Sequence, residues 1–167
     1  MMAGRWVVLV AALGTMMGGP VAALETPEGA VLLEVEGDIE VRNAGRMAHF
    51  DRAMLEALPQ AQTQTHLPWF DGPSSYQGPL LSALLDAVGA TGDTLVVGAL
   101  NDYSAEIPLS DVRDYDVILA MSRDGRPLGV RNQGPLFVIY PFDDHPEILT
   151  RIYLTRSVWQ VSSILVR

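Results

Sequence analysis

Arg131, Asn132 and Gln133 stand side by side just before Gly134-Pro135. Together they could reach an anionic or amide-bearing ligand. A guanidinium grips a carboxylate or phosphate through two parallel hydrogen bonds, and each carboxamide both donates and accepts. The glycine permits close backbone approach, to a ligand or to another loop. The same tripeptide also serves as a solvated bend ahead of a strand, and both readings stay open at this stage.

Trp69, Phe70 and Tyr76 flank the stretch DGPSS. Their ring faces and polar tips suit a wall for a planar ligand, or an anchor that pins the loop to the core. Tyr103, after Asn101-Asp102, either faces the same pocket or half-buries in a turn. The run PFDDHPE gathers Asp143, Asp144 and His145. Adjacent carboxylates on a proline-flanked loop are usually solvated, and no second histidine stands at ligand spacing, so no metal site is expected. Ser74-Ser75 and Ser162-Ser163 lack the glycine pattern of a nucleophile elbow. No catalytic residue is assigned.

Composition narrows the chemistry further. The chain carries 11 basic and 20 acidic side chains for a net charge of −9, and every basic residue is arginine. A net negative chain repels phosphate backbones, so nucleic acid is not an expected partner. The absence of lysine removes Schiff-base chemistry and a Walker-type phosphate contact. There is no cysteine among the 167 residues. Hence neither a disulfide nor a thiolate ligand is available to this chain.

The first residues are expected to be a leader. Arg5 supplies a positive start, Trp6 to Met17 an apolar run, and Val21-Ala22-Ala23 a small-residue cleavage pattern after Gly18-Gly19-Pro20. The apolar run falls short of the roughly 20 residues that span a bilayer. Cleavage after Ala23 leaves residues 24–167 as a single domain, periplasmic or secreted, with no membrane association after cleavage.

The elements that must position these groups follow from periodicity. AVLLEVEGDIEVRN predicts a strand at Leu33 to Val35, a turn at Gly37-Asp38 and a return through Ile39 to Val41. FDRAMLEALPQ predicts a short helix capped by Asp51 and ended by Pro59. AQTQTHL predicts a strand. GPLLSALLDAVGA predicts the clearest helix, with Pro79 at its first position and Gly89 just past its end. TLVVGAL and AEIPL predict strands around a turn at Asn101-Asp102. SDVRDY predicts a helical turn capped by Ser110. DVILAM and PLFVIYP predict buried strands, separated by a turn at Asp124-Gly125. VWQVSSILVR predicts a C-terminal strand that ties the chain end into a sheet, with Ser162 and Ser163 suiting a position near an edge. The whole reads as α+β, a mixed β-sheet with few short helices.

The order of SYQGPLLSALLDAVGA, NDYSAEIPLSDVRDYDVILAMSRDGRPL, GPLFVIYP and WQVSSILV resembles the molybdopterin-binding oxidoreductase fold of the sulfite oxidase family. The likeness covers roughly Tyr76 to Val166. It implies a pterin pocket and a molybdenum centre held by a cysteine on the segment before the GxxL..LL helix. Here that segment is THLPWFDGPSSYQG and holds no thiol; His66 lies nearby, but an imidazole is not an electronic equivalent of a thiolate. Three further departures remove polar groups. Asn101 to Tyr103 replaces DGY, the loop histidine is gone, and Phe137 stands where the family often has arginine. The expectation is a non-catalytic module that binds a small-molecule ligand or a periplasmic protein partner through Trp69, Tyr103, Arg131, Asn132 and Gln133, with no cofactor. The alternative is a molybdopterin-dependent oxidoreductase that holds its cofactor through pterin and phosphate, without a protein thiolate. A purely structural partner in an exported complex is a third possibility.

Overall fold

The computed structural model describes residues 23–167; the expected leader lies, but for Ala23, outside the described residues. In chain order the elements are β1 (Leu33–Gly37), β2 (Ala48–Phe50), α1 (Arg52–Ala57), β3 (Gln60–His66), β4 (Pro73–Pro79), α2 (Leu81–Ala87), β5 (Thr94–Ala99) and β6 (Ser104–Pro108). They continue with α3 (Leu109–Asp114), β7 (Ile118–Ala120), β8 (Ser122–Arg123), β9 (Arg126–Pro127), β10 (Phe137–Ile139), α4 (Arg151–Arg156) and β11 (Val161–Val166). Single 3₁₀ turns occupy Val130–Asn132 and Pro146–Ile148.

Three sheets share one core. The largest has the order β2-β1-β11-β5-β6, and within it β1 and β11 run parallel while the other pairs are antiparallel. A second follows the order β3-β4-β8-β9, and β7 pairs with β10 between them. Every residue of β7 and β10 is buried, as expected of uninterrupted apolar runs with no polar alternation. The architecture is thus the α+β mixed sheet expected from the pattern of elements.

Local chemistry explains most boundaries. Asp51 caps α1 by accepting the Met54 N–H at 2.9 Å, and the same carboxylate accepts N–H groups of Gly29 and Glu28 at 2.7 and 2.9 Å. It therefore ties the incoming chain to the helix start. α2 buries Leu81, Leu84 and Leu85, each worth roughly 1.5–3 kcal/mol of transfer free energy. Beyond it Gly89 takes a positive φ of 59°. The Gly89 N–H then reaches the Asp86 carbonyl and the Ala90 N–H the Leu85 carbonyl, closing a Schellman motif. Asp124 and Gly125, both with positive φ, make the expected hairpin turn between β8 and β9.

Four local expectations are corrected. Ile39 to Val41 form no strand: the N–H groups of Glu40 and Val41 go to the Val88 carbonyl at the end of α2, and the hairpin partner of β1 is β2. Pro79 closes β4 and does not open α2, which begins two residues later behind Leu80. There Gly78 is forced by proximity, since a Cβ would lie 2.1 Å from the Leu119 carbonyl oxygen of β7. α3 starts after Pro108 with no side-chain cap, so Ser110 lies inside it. Finally, β11 is the middle of the large sheet rather than near an edge. A register shift between Val161 and Ser163 leaves both serines half-exposed, and Ser163 sits over Gly98, which has no side chain to oppose it.

The amide hydrogen bonds on Asp51, from Met54 foremost and then Gly29 and Glu28, hold its carboxyl below the usual carboxylate range. A folded-state pKa below the unfolded one gives stability that is complete above about pH 4 and lost as pH falls through the depressed value. Asp51→Asn should therefore melt several degrees lower than the wild type at neutral pH. The gap should narrow as the pH of the thermal scans is taken below about 4.

Candidate functional site

α4 is too short to hold itself in place, and a buried carboxylate holds it. Asp111, on α3, accepts from Arg156 Nη1 at 2.7 Å and from the Tyr140 hydroxyl at 3.0 Å. Burial pushes the Tyr140 phenol far above its ordinary value, and the Asp111 charge pushes it the same way, so the hydroxyl stays a donor. Tyr153 of α4 stands edge-on to Tyr140 and Tyr115, with centroids 5.5 and 5.9 Å apart. Arg156 also lies over the Tyr153 ring at 5.1 Å. These contacts occupy one side of α4. Arg151, Leu154 and Thr155 of the same helix line a groove.

The opposite wall of the groove is aromatic. Trp69 comes from the loop after β3, where the Phe70 N–H closes back on the carbonyl of buried Leu67 at 3.1 Å. Trp159 comes from the approach to β11, where its backbone bridges Phe137 and the Val138 N–H donates to the Val158 carbonyl at 2.9 Å. The two indoles meet edge to face, with centroids 5.4 Å apart. Trp159 in turn stands edge-on to Phe137 at 6.3 Å, and Phe137 to the fully buried Tyr76 at 6.0 Å. An aromatic ladder thus runs from the surface into the core and fixes the exposed indoles on a packed base.

The third wall is the β5–β6 turn. Asp102 takes a positive φ of 64°, and the Asn101 side-chain carbonyl accepts the Tyr103 N–H at 3.2 Å. The Tyr103 hydroxyl then donates across to the Thr155 carbonyl of α4 at 2.8 Å. The enclosed volume is about 330 Å³. Trp69, Tyr103, Trp159, Leu154 and Val158 supply its apolar surface, Asn101, Thr155 and Ser157 a polar edge, and Arg151 the single charged group.

Of the residues singled out from sequence, Trp69 and Tyr103 share this groove and are 42% and 44% exposed. Arg131, Asn132 and Gln133 do not line it. They form a tight turn whose backbone is spent on closure: the Asn132 and Gly134 N–H groups bond the Gly129 carbonyl, and Asn132 Oδ1 accepts from Gly129 N–H. Gln133 takes a positive φ of 69°, and its carbonyl accepts from the Gln160 N–H. Asn132 borders a separate depression with Arg123, Asp124, Arg126 and Leu128. The three aromatics expected around DGPSS also part company. Trp69 faces the groove, Tyr76 is core, and Phe70 lies under the Arg123 guanidinium at 3.8 Å. Arg151, Leu154, Thr155 and Ser157 fall where the sequence suggested no element, and Val158 and Trp159 fell within the expected C-terminal strand with no sign of a site. The alternation of Tyr153, Leu154 and Val158 with polar residues was too brief to signal a helix.

His66 and Asp143 form a second polar pair, with His66 Nδ1 2.8 Å from Asp143 Oδ2. The His66 backbone N–H on Asp143, followed by the imidazole, holds that carboxyl below its usual range. The Thr65 hydroxyl also donates to Asp143 Oδ1 at 3.4 Å and accepts from the Asp143 N–H at 3.3 Å, and among the described residues no group of three or more His, Cys, Asp or Glu could hold a metal ion. The groove fits a thiolate-held molybdenum poorly on its own chemistry. It has no sulfur donor, and one guanidinium faces the space a doubly charged pterin phosphate would need neutralised.

The sequence profile of the oxidoreductase molybdopterin binding domain matches residues 42–143. Among solved structures, the crystal structure of the sulfane dehydrogenase SoxCD from Paracoccus pantotrophus superposes with a TM-score of 0.60 at 19% identity, over 86% of this chain and 40% of that one. The chain therefore spans less than half the length of that protein. The superposition shows a shared sulfite-oxidase-like fold.

Removing the carboxylate that anchors α4 leaves a half-buried guanidinium and a buried hydroxyl unpaired. Asp111→Ala should cost about 3 kcal/mol in urea unfolding, whereas Tyr140→Phe, which deletes one neutral donor, should cost about 1 kcal/mol.

Proposed function

The chain belongs to the oxidoreductase molybdopterin-binding domain family, and we propose that it is an exported, non-catalytic member which uses the groove to bind a small ligand or a partner segment. One observation carries this reading. Family chemistry requires a protein thiolate on the metal, and no residue of this chain is cysteine. The structure supports it in a second way. Trp69, from the segment where the resemblance places the ligating cysteine, and Asn101 and Tyr103, from the turn that replaces DGY, meet in one groove. That groove is walled mainly by carbon and indole, with one guanidinium, Arg151, and no sulfur donor. Fold alone does not transmit a reaction, since many sites are built on one scaffold.

The leader-like start of the chain motivates a periplasmic or secreted location. Its net charge of −9 argues against nucleic acid as a partner. The family assignment itself supports one competing reading, an oxidoreductase that holds the cofactor through its pterin and phosphate alone. The two differ in what the purified protein carries. Expressed in a host competent for molybdopterin synthesis, the folded protein should contain far less than one molybdenum and one releasable pterin per chain. Near-stoichiometric molybdenum and pterin would overturn the non-catalytic reading.

A further inference from the structure

The groove's hydrogen-bonding groups are unevenly spent. The Tyr103 hydroxyl gives its hydrogen to the Thr155 carbonyl, the Thr155 hydroxyl to the Ile152 carbonyl at 2.6 Å, and the Ser157 hydroxyl to the Tyr153 carbonyl at 3.1 Å. Asn101 uses its side-chain oxygen on the Tyr103 N–H. What remains without a partner among the described residues is a set of donors: the Asn101 carboxamide N–H groups, the two indole N–H groups and the Arg151 guanidinium. A ligand matched to such a site brings acceptors.

Charge points the same way. The chain has 20 acidic side chains, yet none lines this groove, and its one charged group is a cation. The neighbouring helical arginine, Arg156, is neutralised by Asp111, whereas Arg151 has no carboxylate within ion-pair distance among the described residues. On a protein that repels anions overall, a local unpaired guanidinium beside bare indole surface selects an anion that also carries an apolar body. The volume of about 330 Å³ lies at the small end of ligand pockets, enough for a body of one or two fused rings. Indole edges and the Tyr103 ring favour a flat one, and the aromatic ladder behind Trp159 holds them in place beforehand.

We propose that this groove binds an aromatic carboxylate, with the ring system against Trp69, Trp159 and Tyr103 and the carboxylate on Arg151 and Asn101. The proposal rests on the non-catalytic reading of the same site and names the class of its ligand.

Titration calorimetry of the full processed chain with naphthoate, and separately with its methyl ester, tests it. Wild type should bind naphthoate at least about fivefold more tightly than the ester, the scale of one exposed charge-assisted contact. Arg151→Gln should remove that preference and leave the ester unchanged. Trp69→Ala should weaken both probes, with thermal scans showing that each variant remains folded. Raising the salt concentration should weaken the acid and spare the ester. Equal affinity for acid and ester, an acid preference that survives Arg151→Gln, or no naphthoate binding by wild type would each overturn the proposal. Molybdenum and pterin content, measured on the same preparation, fails separately: a loaded protein sinks the non-catalytic reading whatever the probes do.

Discussion

One carboxylate organises the half of the molecule that carries the groove. Asp111 is 5% exposed and carries two partners from distant parts of the chain, Tyr140 at the end of β10 and Arg156 at the end of α4. A charge taken out of water at this depth is tolerated only when it is well paired, so the carboxylate dictates where both partners go. α4 has six residues, too few to be stable alone in water. Its position is inherited from Asp111 and from the ring packing of Tyr153 on Tyr140 and Tyr115. The groove floor is the other side of that same helix. Groove geometry and core stability are therefore coupled through the Asp111–Arg156 ion pair.

How much of this could be seen in the sequence follows from the range of each interaction. The α1 cap at Asp51, the Gly89 end of α2 and the Asp124-Gly125 hairpin are encoded within four residues, and all formed as expected. So did the buried strands, whose apolar runs need no partner to be recognised. The errors fall where distant backbone decided the outcome. Ile39 to Val41 alternate well enough for a strand, but their amides are claimed by Val88. Ser162-Ser163 read as edge residues because two polar side chains rarely fit a central strand; a bulge and the bare Cα of Gly98 make room for them. The site shows the same division. Trp69 and Tyr103 stood out by residue type. Arg151 did not, because its significance is that its helical neighbour Arg156 is paired and it is not, which is a property of three dimensions.

The comparison with the family is instructive at the level of scaffold and site. The sulfite-oxidase-like fold survives at 19% identity to a solved relative because its requirements are generic: apolar strands, a close β4–β7 approach at Gly78 and a few caps. A metal centre has a far narrower requirement, a particular donor atom at a particular place. Likeness of scaffold therefore does not by itself carry the chemistry. The character of a groove on that scaffold follows from the side chains that line it. Here these are two indoles, a phenol and one cation.

The central placement of β11 also sets a timetable. β1 and β5 touch the same strand but not each other, and that strand comes last of the eleven in chain order. Residues 161–166 must be delivered before the large sheet can close. Until then its other four strands form two separate hairpins with raw edges, a high-contact-order arrangement that assembles slowly. A polypeptide wired this way cannot lock its largest sheet until its last strand has been made.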